Sequence, residues 1–414
     1  SKFLLCSSVS IDSRTVAEGA LFFGLNGPNF KGSKYAAAAL EKGASFAVID
    51  DPDVANDPKI IYCEDPLKGL QDLAKFHRSF YKKPLIALTG SNGKTTTKEL
   101  IFRVLSKKYI THATKGNLNN HIGVPLTLLG ITPQTQMAII EMGANHVGEI
   151  NELCQMALPT HGLITNIGYA HTATFGGFEG VIRGKSELFE YLRTSHGLPF
   201  INIEDKVLAN MTKRFKEKIT YPSTDMVFVA AQPMVSYERA EVTYQTHLLG
   251  AYNYLNLAAA YAVGTHFEVE KESLLDAVNN YQSDNMRSQL LLKGTNQILL
   301  DAYNANPDSM RVALSSLESF EGDKVAILGD MNELEDSEAA HLQLLQEADQ
   351  LGLRMIITVG PQMALIKDHF PEVKWFGTAT EVAHYVREMS FEHTAVLIKA
   401  SRSIELEMVV SSFN

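Results

Sequence analysis

The stretch Thr89-Gly90-Ser91-Asn92-Gly93-Lys94-Thr95-Thr96 follows an apolar run, 85–89, and precedes a helix that we predict over 95–109. A strand, a glycine-rich turn and a helix in this order form the setting of a phosphate-binding loop. The glycines let backbone N–H groups turn towards phosphate oxygens, and the helix N-terminus adds a positive dipole. This stretch therefore predicts a nucleotide-binding α/β domain.

Two side chains of the loop are predicted to contact the phosphates or their metal ion directly. Lys94 is predicted to bridge the β- and γ-phosphates, and the Thr95 hydroxyl to coordinate Mg²⁺. The nucleotide-binding set is completed by Gly90, Ser91, Asn92, Gly93 and Thr96. The loop departs from the usual GxxxxGK[ST] pattern, because Leu88 stands where that pattern has its first glycine. A glycine turn with a helix-capping threonine is the alternative, and phosphate loops also occur in switches and transporters.

Apolar runs of strand length alternate with helical patterns along most of the chain. Residues 137–142 and 163–167 have the length of central strands, and this βαβ rhythm implies a doubly wound sheet. Four further strand runs lie at 298–301, 324–328, 355–359 and 395–398. We predict three α/β domains: a small N-terminal one over 1–82, a central P-loop domain with a parallel sheet over 83–292, and a Rossmann-like C-terminal one over 293–414.

The composition limits the partners. Lysine and arginine number 37 against 47 acidic residues, and the formal net charge of −10 repels nucleic acid and anionic membranes. Cys6, Cys63 and Cys154 show no CxxC spacing, which argues against a zinc site or a disulfide framework and fits a reducing cytoplasm. No run approaches the roughly 18 apolar residues of a membrane span. We expect a cytoplasmic monomer that binds small molecules, with no nucleic acid and no membrane insertion.

The shortened loop TGSNGKTT is similar to that of the muramyl ligases and the folylpolyglutamate synthases. Further matching segments are GNLNNHIGVP at 116–125, EMGANH at 141–146, TNIGYAH at 165–171, DAYNANPDSM at 301–310 and LGDM at 328–331. In their order and spacing they resemble the muramyl ligase family over most of the chain. The form DAYNANPDSM resembles the branch that adds D-alanyl-D-alanine.

The resemblance implies an ATP-dependent ligase that joins D-alanyl-D-alanine to the terminal carboxylate of UDP-N-acetylmuramoyl-tripeptide through an acyl phosphate. The nucleotide sugar would bind the first and middle domains, ATP the phosphate loop, and the dipeptide the last domain. Two Mg²⁺ ions are expected. Other possibilities are a related ligase, MurE-like or folylpolyglutamate synthase-like, and a nucleotide-gated binding protein without ligase chemistry.

Three residues are candidate metal ligands. Glu141 ends an apolar run, at the edge where parallel sheets place ligands, and a carboxylate there can share a Mg²⁺ ion with Thr95. By resemblance, His171 serves a second Mg²⁺ and Lys185 is the lysine that many muramyl ligases carry as a carbamate. The alternatives are a solvated acid for Glu141, a structural histidine for His171, and an ion pair with a neighbouring glutamate, 179 or 187, for Lys185.

By resemblance, Asn253 and Asn256 bind the adenine, while Arg287 contacts phosphate and Asp301 the ribose. An amide offers the donor and the acceptor that an adenine edge requires. Helix capping is the alternative for Asn253, and interdomain ion pairs are the alternative for Arg287 and Asp301.

Ser13 and Arg14 resemble a UDP-binding segment, since an arginine fork suits a diphosphate. An exposed turn is the alternative for these two residues. The substrate-binding set further contains Asn117, Asn120, Asn304, Asn306, Ser401 and Arg402. The last two lie in KASRS at 399–403, which differs from the family form KGSRS by an alanine, and helix capping is the alternative for Ser401.

Overall fold

A computed structural model describes residues 2–54, 57–332 and 334–413. Its N-terminal part is a parallel four-stranded sheet in the order β1-β2-β3-β4. The strands are β1 (Val9–Ser10), β2 (Leu21–Phe23), β3 (Phe46–Ile49) and β4 (Ile60–Tyr62). The helices are α1 (Ala36–Glu41) and α2 (Pro66–Phe80), with short 3-10 turns at Lys2–Leu5, Gly32–Tyr35 and Pro52–Val54. The Asp65 side chain caps α2 by accepting from the Lys68 N–H.

The central part contains a six-stranded parallel sheet in the order β10-β9-β8-β5-β7-β6. Its strands are β5 (Leu85–Thr89), β6 (Thr111–Ala113), β7 (Met137–Glu141), β8 (His161–Ile164), β9 (Leu198–Asn202) and β10 (Ile219–Tyr221). The helices are α3 (Lys94–Leu105), α4 (Gly123–Leu129), α5 (Glu149–Ala157), α6 (Thr172–Phe175), α7 (Phe178–Ser195) and α8 (Lys206–Met211), followed by a 3-10 turn at Thr212–Arg214. β5 is buried along its whole length, as its apolar sequence predicts.

A three-stranded antiparallel sheet follows, which the sequence analysis did not predict. Its strands are β11 (Val227–Ala231), β12 (Met234–Arg239) and β13 (Val242–Leu249), and α9 (Asn253–His266) and α10 (Lys271–Asn279) come next. β13 mixes apolar and polar residues, so it lacks the continuous apolar run of a buried parallel strand. β11 is continuously apolar over 227–231, although its first three residues are exposed, so its sequence does carry a strand signal that the prediction overlooked.

The last part is a six-stranded sheet in the order β14-β15-β19-β16-β17-β18, parallel except for β14. Its strands are β14 (Gln289–Lys293), β15 (Asn296–Asp301), β16 (Asp323–Gly329), β17 (Met355–Val359), β18 (Lys374–Phe376) and β19 (Thr394–Lys399). Its helices are α11 (Pro307–Glu318), α12 (Ser337–Asp349), α13 (Pro361–Ile366) and α14 (Ala379–Met389), with 3-10 turns at Lys367–His369, Arg402–Ile404 and Leu406–Ser412. The predicted three-part α/β architecture is confirmed.

One predicted strand is displaced. The run 163–167 was expected to be a strand, but β8 ends at Ile164. Thr165 and Asn166 leave the strand because their side chains donate to the Asn92 carbonyl of the phosphate loop, at 2.6 and 3.0 Å. Among the described residues, no helix combines the length and the apolar character needed to cross a membrane.

A buried arginine joins the first two parts. Arg78 of α2 donates to the carbonyls of Ala157 and Leu158 at 2.6 and 2.7 Å, and also to that of Tyr81. Ala157 and Leu158 lie at the C-terminal end of α5, where carbonyl groups have no partner within the helix. Arg78 thus satisfies a helix end that belongs to the neighbouring part of the chain.

We expect Arg78→Met to destabilise the protein by roughly 2–3 kcal/mol, because it leaves buried carbonyls without donors. The unfolding midpoint in urea, followed by circular dichroism, measures this loss. Arg193→Met is the matched control, since Arg193 is 48% exposed and its ion pair with Glu190 contributes little. Equal midpoints for the two variants would contradict the role given to Arg78.

Candidate active site

The predicted phosphate loop connects β5 to α3, and its two glycines have positive φ angles of 148° at Gly90 and 78° at Gly93. A side chain at either position would clash with a neighbour. A Cβ atom on Gly90 would lie 1.9 Å from Thr165 Oγ1, and one on Gly93 would lie 2.6 Å from Asn256 Oδ1. Gly93 is the N-cap of α3 and no side chain caps this helix, so the alternative of a helix-capping threonine is wrong.

Lys94 folds back over the loop. Its ammonium donates to the carbonyls of Gly90 at 2.7 Å and Ser91 at 3.2 Å. Burial lowers the pKa of Lys94 to about 8, the Glu141 carboxylate opposes that shift, and the Arg287 guanidinium adds to it. Two basic side chains and one carboxylate therefore share the electrostatic environment of the loop.

Glu141, at the end of β7, is 1% exposed. Its Oε1 accepts from the Thr95 hydroxyl at 3.3 Å and from Asn119 Nδ2 at 2.8 Å. Its Oε2 is buried without a hydrogen-bond partner among the described residues. An unsatisfied buried carboxylate oxygen is costly, and a divalent cation next to the threonine hydroxyl would satisfy it. The residues present therefore fit the expected Mg²⁺ ion, and the alternative of a solvated acid is wrong.

Asn119 is a further functional candidate, which the motif GNLNNHIGVP does not by itself distinguish from the other asparagines in it. Asn117 and Asn120, the two predicted substrate residues of this segment, form no hydrogen bond with Glu141 in the described part of the chain. Asn117 is exposed, and the Asn120 side chain accepts from the N–H groups of Ile122 and Gly123 at the start of α4. The spacing alone could not show which asparagine points at the strand end.

Lys185 is 1% exposed on α7, with its Nζ 3.3 Å from the Ala144 carbonyl and 5.2 Å from the ring centre of Phe175. No carboxylate of the described residues lies within 4.0 Å of this amine, so the expected alternative of an ion pair is wrong. Glu187 instead accepts from the N–H groups of Gly148 and Asn151. Burial, reinforced by the charge of Lys94, lowers the pKa of Lys185 to about 7.

His171 adopts a left-handed conformation with φ 56° and is the N-cap of the short helix α6. Its carbonyl accepts from the N–H of Phe175, whose ring lies against Lys185. The helix thus links the two residues that were expected near a second metal ion. In the described part of the chain, no group of three or more His, Cys, Asp and Glu residues could hold a metal ion. A metal ion held here would therefore need ligands beyond such a cluster, such as hydroxyl or phosphate oxygens.

The two predicted adenine residues lie behind the loop. Asn256 Oδ1 accepts from the Thr97 hydroxyl at 3.0 Å, and its Nδ2 donates to Asn253 Oδ1 at 2.8 Å. Asn253 donates to the Leu249 carbonyl at 2.7 Å and is not the N-cap of α9, so the capping alternative is wrong. Both amides are buried. Each amide still has a donor and an acceptor position that these hydrogen bonds do not use.

Arg287 and Asp301 form no interdomain ion pair with each other or with another described residue. The Arg287 guanidinium stacks on Tyr303 at 3.6 Å from the ring centre. Asp301 pairs with Lys399 at 2.5 Å across the neighbouring strands β15 and β19, and also accepts from the Ser288 N–H. Lys399 also donates to the Asn304 carbonyl, while the Asn304 side chain accepts from the next N–H.

The last part of the chain reaches the loop through the start of α11. Asn306 Nδ2 donates to Asn92 Oδ1 at 2.8 Å, while Asn306 also caps α11 in a capping box with Ser309. Two residues further on, Asp308 accepts from the Tyr169 N–H at 2.8 Å. Asn306 therefore contacts the nucleotide loop directly, although the sequence placed it among the substrate residues.

The remaining predicted residues lie in two other places. Ser13 and Arg14 occupy a turn in which the exposed Arg14 pairs with Asp12 at 2.8 Å, and this contact lowers the pKa of Asp12 to about 2. Ser401 is buried, and its hydroxyl accepts from the Asn332 N–H. It stands at the N-cap of the 3-10 turn Arg402–Ile404, but its side chain makes no capping hydrogen bond. Arg402 pairs with Glu407. The structure does not bring these residues into contact with the phosphate loop.

Three family models match the chain in consecutive order. Residues 6–80 match the Mur ligase family catalytic domain, 88–264 the Mur ligase middle domain, and 286–402 the Mur ligase glutamate ligase domain. The matches span each of the three α/β parts.

Two relatives are similar over nearly the whole length of the chain. The UDP-N-acetylmuramoyl-tripeptide--D-alanyl-D-alanine ligase of Bacillus subtilis is 34% identical over 97% of this chain and 92% of its own length. The Escherichia coli protein of the same name is 32% identical, with the same coverage of 97% and 92%.

Two solved structures are similar over nearly the whole chain. MurF from Acinetobacter baumannii superimposes with a TM-score of 0.87 at 29% identity, covering 98% of this chain and 92% of that one. MurF ligase from Thermotoga maritima in complex with ADP has a TM-score of 0.86 at 25% identity, covering 100% and 98%. Sequence similarity of this extent shows that the chain belongs to the Mur ligase family.

Proposed function

We propose that this chain joins D-alanyl-D-alanine to the terminal carboxylate of UDP-N-acetylmuramoyl-tripeptide, with conversion of ATP to ADP and phosphate. One observation carries the proposal. A phosphate loop with a buried strand-end carboxylate occurs in a chain that is similar over 97% of its length to a ligase named for this reaction.

The reaction proceeds in two transfers. The tripeptide carboxylate attacks the γ-phosphorus of ATP, and the bond from that phosphorus to the β-γ bridging oxygen breaks. ADP departs, and the carboxylate has become an acyl phosphate. The dipeptide amine then attacks the acyl carbon, loses a proton, and expels inorganic phosphate. The amide bond therefore forms at the expense of one phosphoanhydride bond, and no redox chemistry is needed.

Repulsion between a carboxylate and a triphosphate is the main barrier to the first transfer. Thr95 and Glu141 would hold Mg²⁺, whose charge lowers that repulsion. Lys94 contributes a second positive charge. Because its pKa is about 8, the Lys94 amine is mostly protonated at pH 7. The negative charge of a bound triphosphate would raise this pKa. The loop carbonyls that it now contacts would be exchanged for phosphate oxygens.

Lys185 is the residue that we propose to carry a carbamate. The amine is buried next to Phe175, and its pKa of about 7 leaves much of it neutral near pH 7. A neutral amine can add CO₂, and the product is an anion that can serve, with His171, a second Mg²⁺. The unmodified amine has no acceptor oxygen and would not suit that role.

The substrates are assigned to the three domains, for which we keep the boundaries 1–82, 83–292 and 293–414. UDP is assigned to Ser13 and Arg14 and the dipeptide to Ser401 and Arg402, while Asn117, Asn120, Asn304 and Asn306 are assigned to the substrates without a finer division. Asp301 and Arg287 would meet the ribose and phosphate, and Asn253 and Asn256 the adenine. Arg14 and Arg402 are each paired with an acidic neighbour, and each keeps guanidinium N–H groups outside that pair that can donate to a substrate.

We expect D-alanyl-D-alanine to be the preferred acceptor. Purified protein would be incubated with UDP-N-acetylmuramoyl-tripeptide, ATP, Mg²⁺ and one acceptor, and the products weighed by mass spectrometry. Diaminopimelate and glutamate are the control acceptors, because related ligases add single amino acids. Faster reaction with either of them would assign the chain to another activity, and ATP turnover without any acceptor would indicate a binding protein.

We expect Glu141→Gln to raise the Mg²⁺ concentration needed for half-maximal activity by roughly 10-fold or more. Glutamine keeps an oxygen for Thr95 and Asn119 but removes the charge. Without nucleotide, the melting temperature should not fall, since the substitution removes the cost of burying a negative charge at this position. His171→Ala should cause a smaller rise. Unchanged magnesium titrations in both variants would remove the two residues from the metal sites.

We expect Lys185→Ala to lose most activity and to be partly rescued by acetate or formate, which replace the missing carboxylate. Small amines should not rescue it. An independent measurement is a carbamate signal in the ¹³C NMR spectrum of the unaltered protein in labelled bicarbonate, growing as pH rises through about 7, where the amine becomes neutral. Rescue by amines, or full activity of Lys185→Ala, would contradict the carbamate.

A further inference from the structure

Lys98 on α3 is a fully buried lysine that the proposed chemistry does not use. Its Nζ donates to the Thr114 carbonyl at 2.7 Å and pairs with Glu99 Oε1 at 2.9 Å. Burying an ammonium in a protein interior is costly unless its charge is paired and its hydrogen bonds are satisfied. Lys98 therefore ties α3 firmly to the residue that follows β6.

Thr114 begins the segment that surrounds Glu141. Its hydroxyl accepts from the Glu141 N–H at 3.0 Å, and its own N–H donates to the Ile139 carbonyl. Five residues later, Asn119 donates to Glu141 Oε1 at 2.8 Å, and its carbonyl accepts from the Gly143 N–H at 2.7 Å. One short segment thus positions both the backbone and the carboxylate of Glu141.

The contacts close into a ring. Thr95 and Lys98 lie three residues apart on α3. The Lys98 ammonium donates to the Thr114 carbonyl, and the Thr114 hydroxyl accepts from the Glu141 N–H. The Glu141 carboxylate accepts in turn from the Thr95 hydroxyl, which returns to α3. The ring contains both oxygen ligands that we assign to Mg²⁺. A movement of Thr114 away from α3 would carry Glu141 away from Thr95.

We propose that Lys98 is a positioning residue, which sets the separation of Thr95 and Glu141 and so the affinity of the site for its divalent cation. This inference rests on the proposed function, since it requires Thr95 and Glu141 to share a metal ion. Groups that orient a ligand are typically worth 10- to 100-fold in metal affinity when they are removed.

The test measures Mn²⁺ binding to the protein–ADP complex by electron paramagnetic resonance, so that turnover is not involved. Lys98→Met keeps the side-chain volume and removes the donor, and we expect roughly 10-fold weaker Mn²⁺ binding. ADP binding without metal should be unchanged, because Lys94 and the loop amides are untouched. Glu99→Gln is the matched control, since it removes the charge of the ion-pair partner but leaves the bond from Lys98 to Thr114.

Substitutions of Thr114 test the same ring of hydrogen bonds. Thr114→Val removes the acceptor for the Glu141 N–H and should weaken Mn²⁺ binding similarly, whereas Thr114→Ser keeps the hydroxyl and should bind normally. The double variant Lys98→Met/Thr114→Val should lose less than the sum of the single losses, because both changes break one ring. Lys98→Gln, a shorter side chain that cannot reach as far, replaces Lys98→Met if that variant does not fold.

Mn²⁺ binding of either folded Lys98 variant equal to that of the unaltered protein would overturn the inference. An equal loss of ADP and Mn²⁺ affinity would also overturn it, because that result indicates general damage to α3. If the unaltered protein bound no Mn²⁺ in the presence of ADP, the proposed function itself would fail, and the inference with it. These outcomes are distinguishable in one set of titrations.

Discussion

The hydrogen bonds that hold Asn92 are the constraint on which the rest of the site depends. Its N–H donates to Asn166 Oδ1, its carbonyl accepts from Thr165 and Asn166, and its side chain accepts from Asn306. A phosphate loop binds through backbone N–H groups, so its conformation must be set before the ligand arrives. Here the end of β8 and the start of α11 set it, from two different parts of the chain.

Three buried or half-buried lysines lie close to this loop, although the protein as a whole is acidic. Lys94, Lys98 and Lys185 lie on the two helices next to it, yet each has a different environment. Lys98 has a carboxylate partner, Lys94 contacts loop carbonyls, and Lys185 has one carbonyl and an aromatic ring. The depressed pKa values of Lys94 and Lys185 follow mainly from burial. An anionic ligand would relieve the cost at Lys94, whereas Lys185 can avoid it by becoming neutral.

The sequence predicted the elements that depend on local pattern. The apolar run before the loop is β5, and the glycine pattern predicted a strand-to-helix turn that the structure contains. The hydrogen-bond partners of side chains were harder to predict from the sequence, because they depend on contacts between residues that are distant in sequence. Nothing near Asn306 indicates that it reaches Asn92, 214 residues away. In the same way, Asn119 could not be distinguished from Asn117 and Asn120 until the strand end was in place. Of the strands that were not predicted, β12 and β13 mix apolar and polar residues, whereas the apolar run of β11 was a usable signal.

The distribution of apolar contacts indicates where the molecule can move. One hydrophobic cluster runs from Leu21 and Val48 of the first sheet through Leu85 to Phe215, so the first two parts share a core. The clusters of the last sheet are formed almost entirely by its own residues, joined by Leu249 of the middle part. At the loop, by contrast, the last part makes polar contacts through Asn306 and Asp308. Water can replace polar contacts at little cost, whereas separating a shared apolar core is expensive. Movement that admits substrates should therefore occur between the last two parts, and each opening would release Asn306 from Asn92 and loosen the loop that binds the nucleotide.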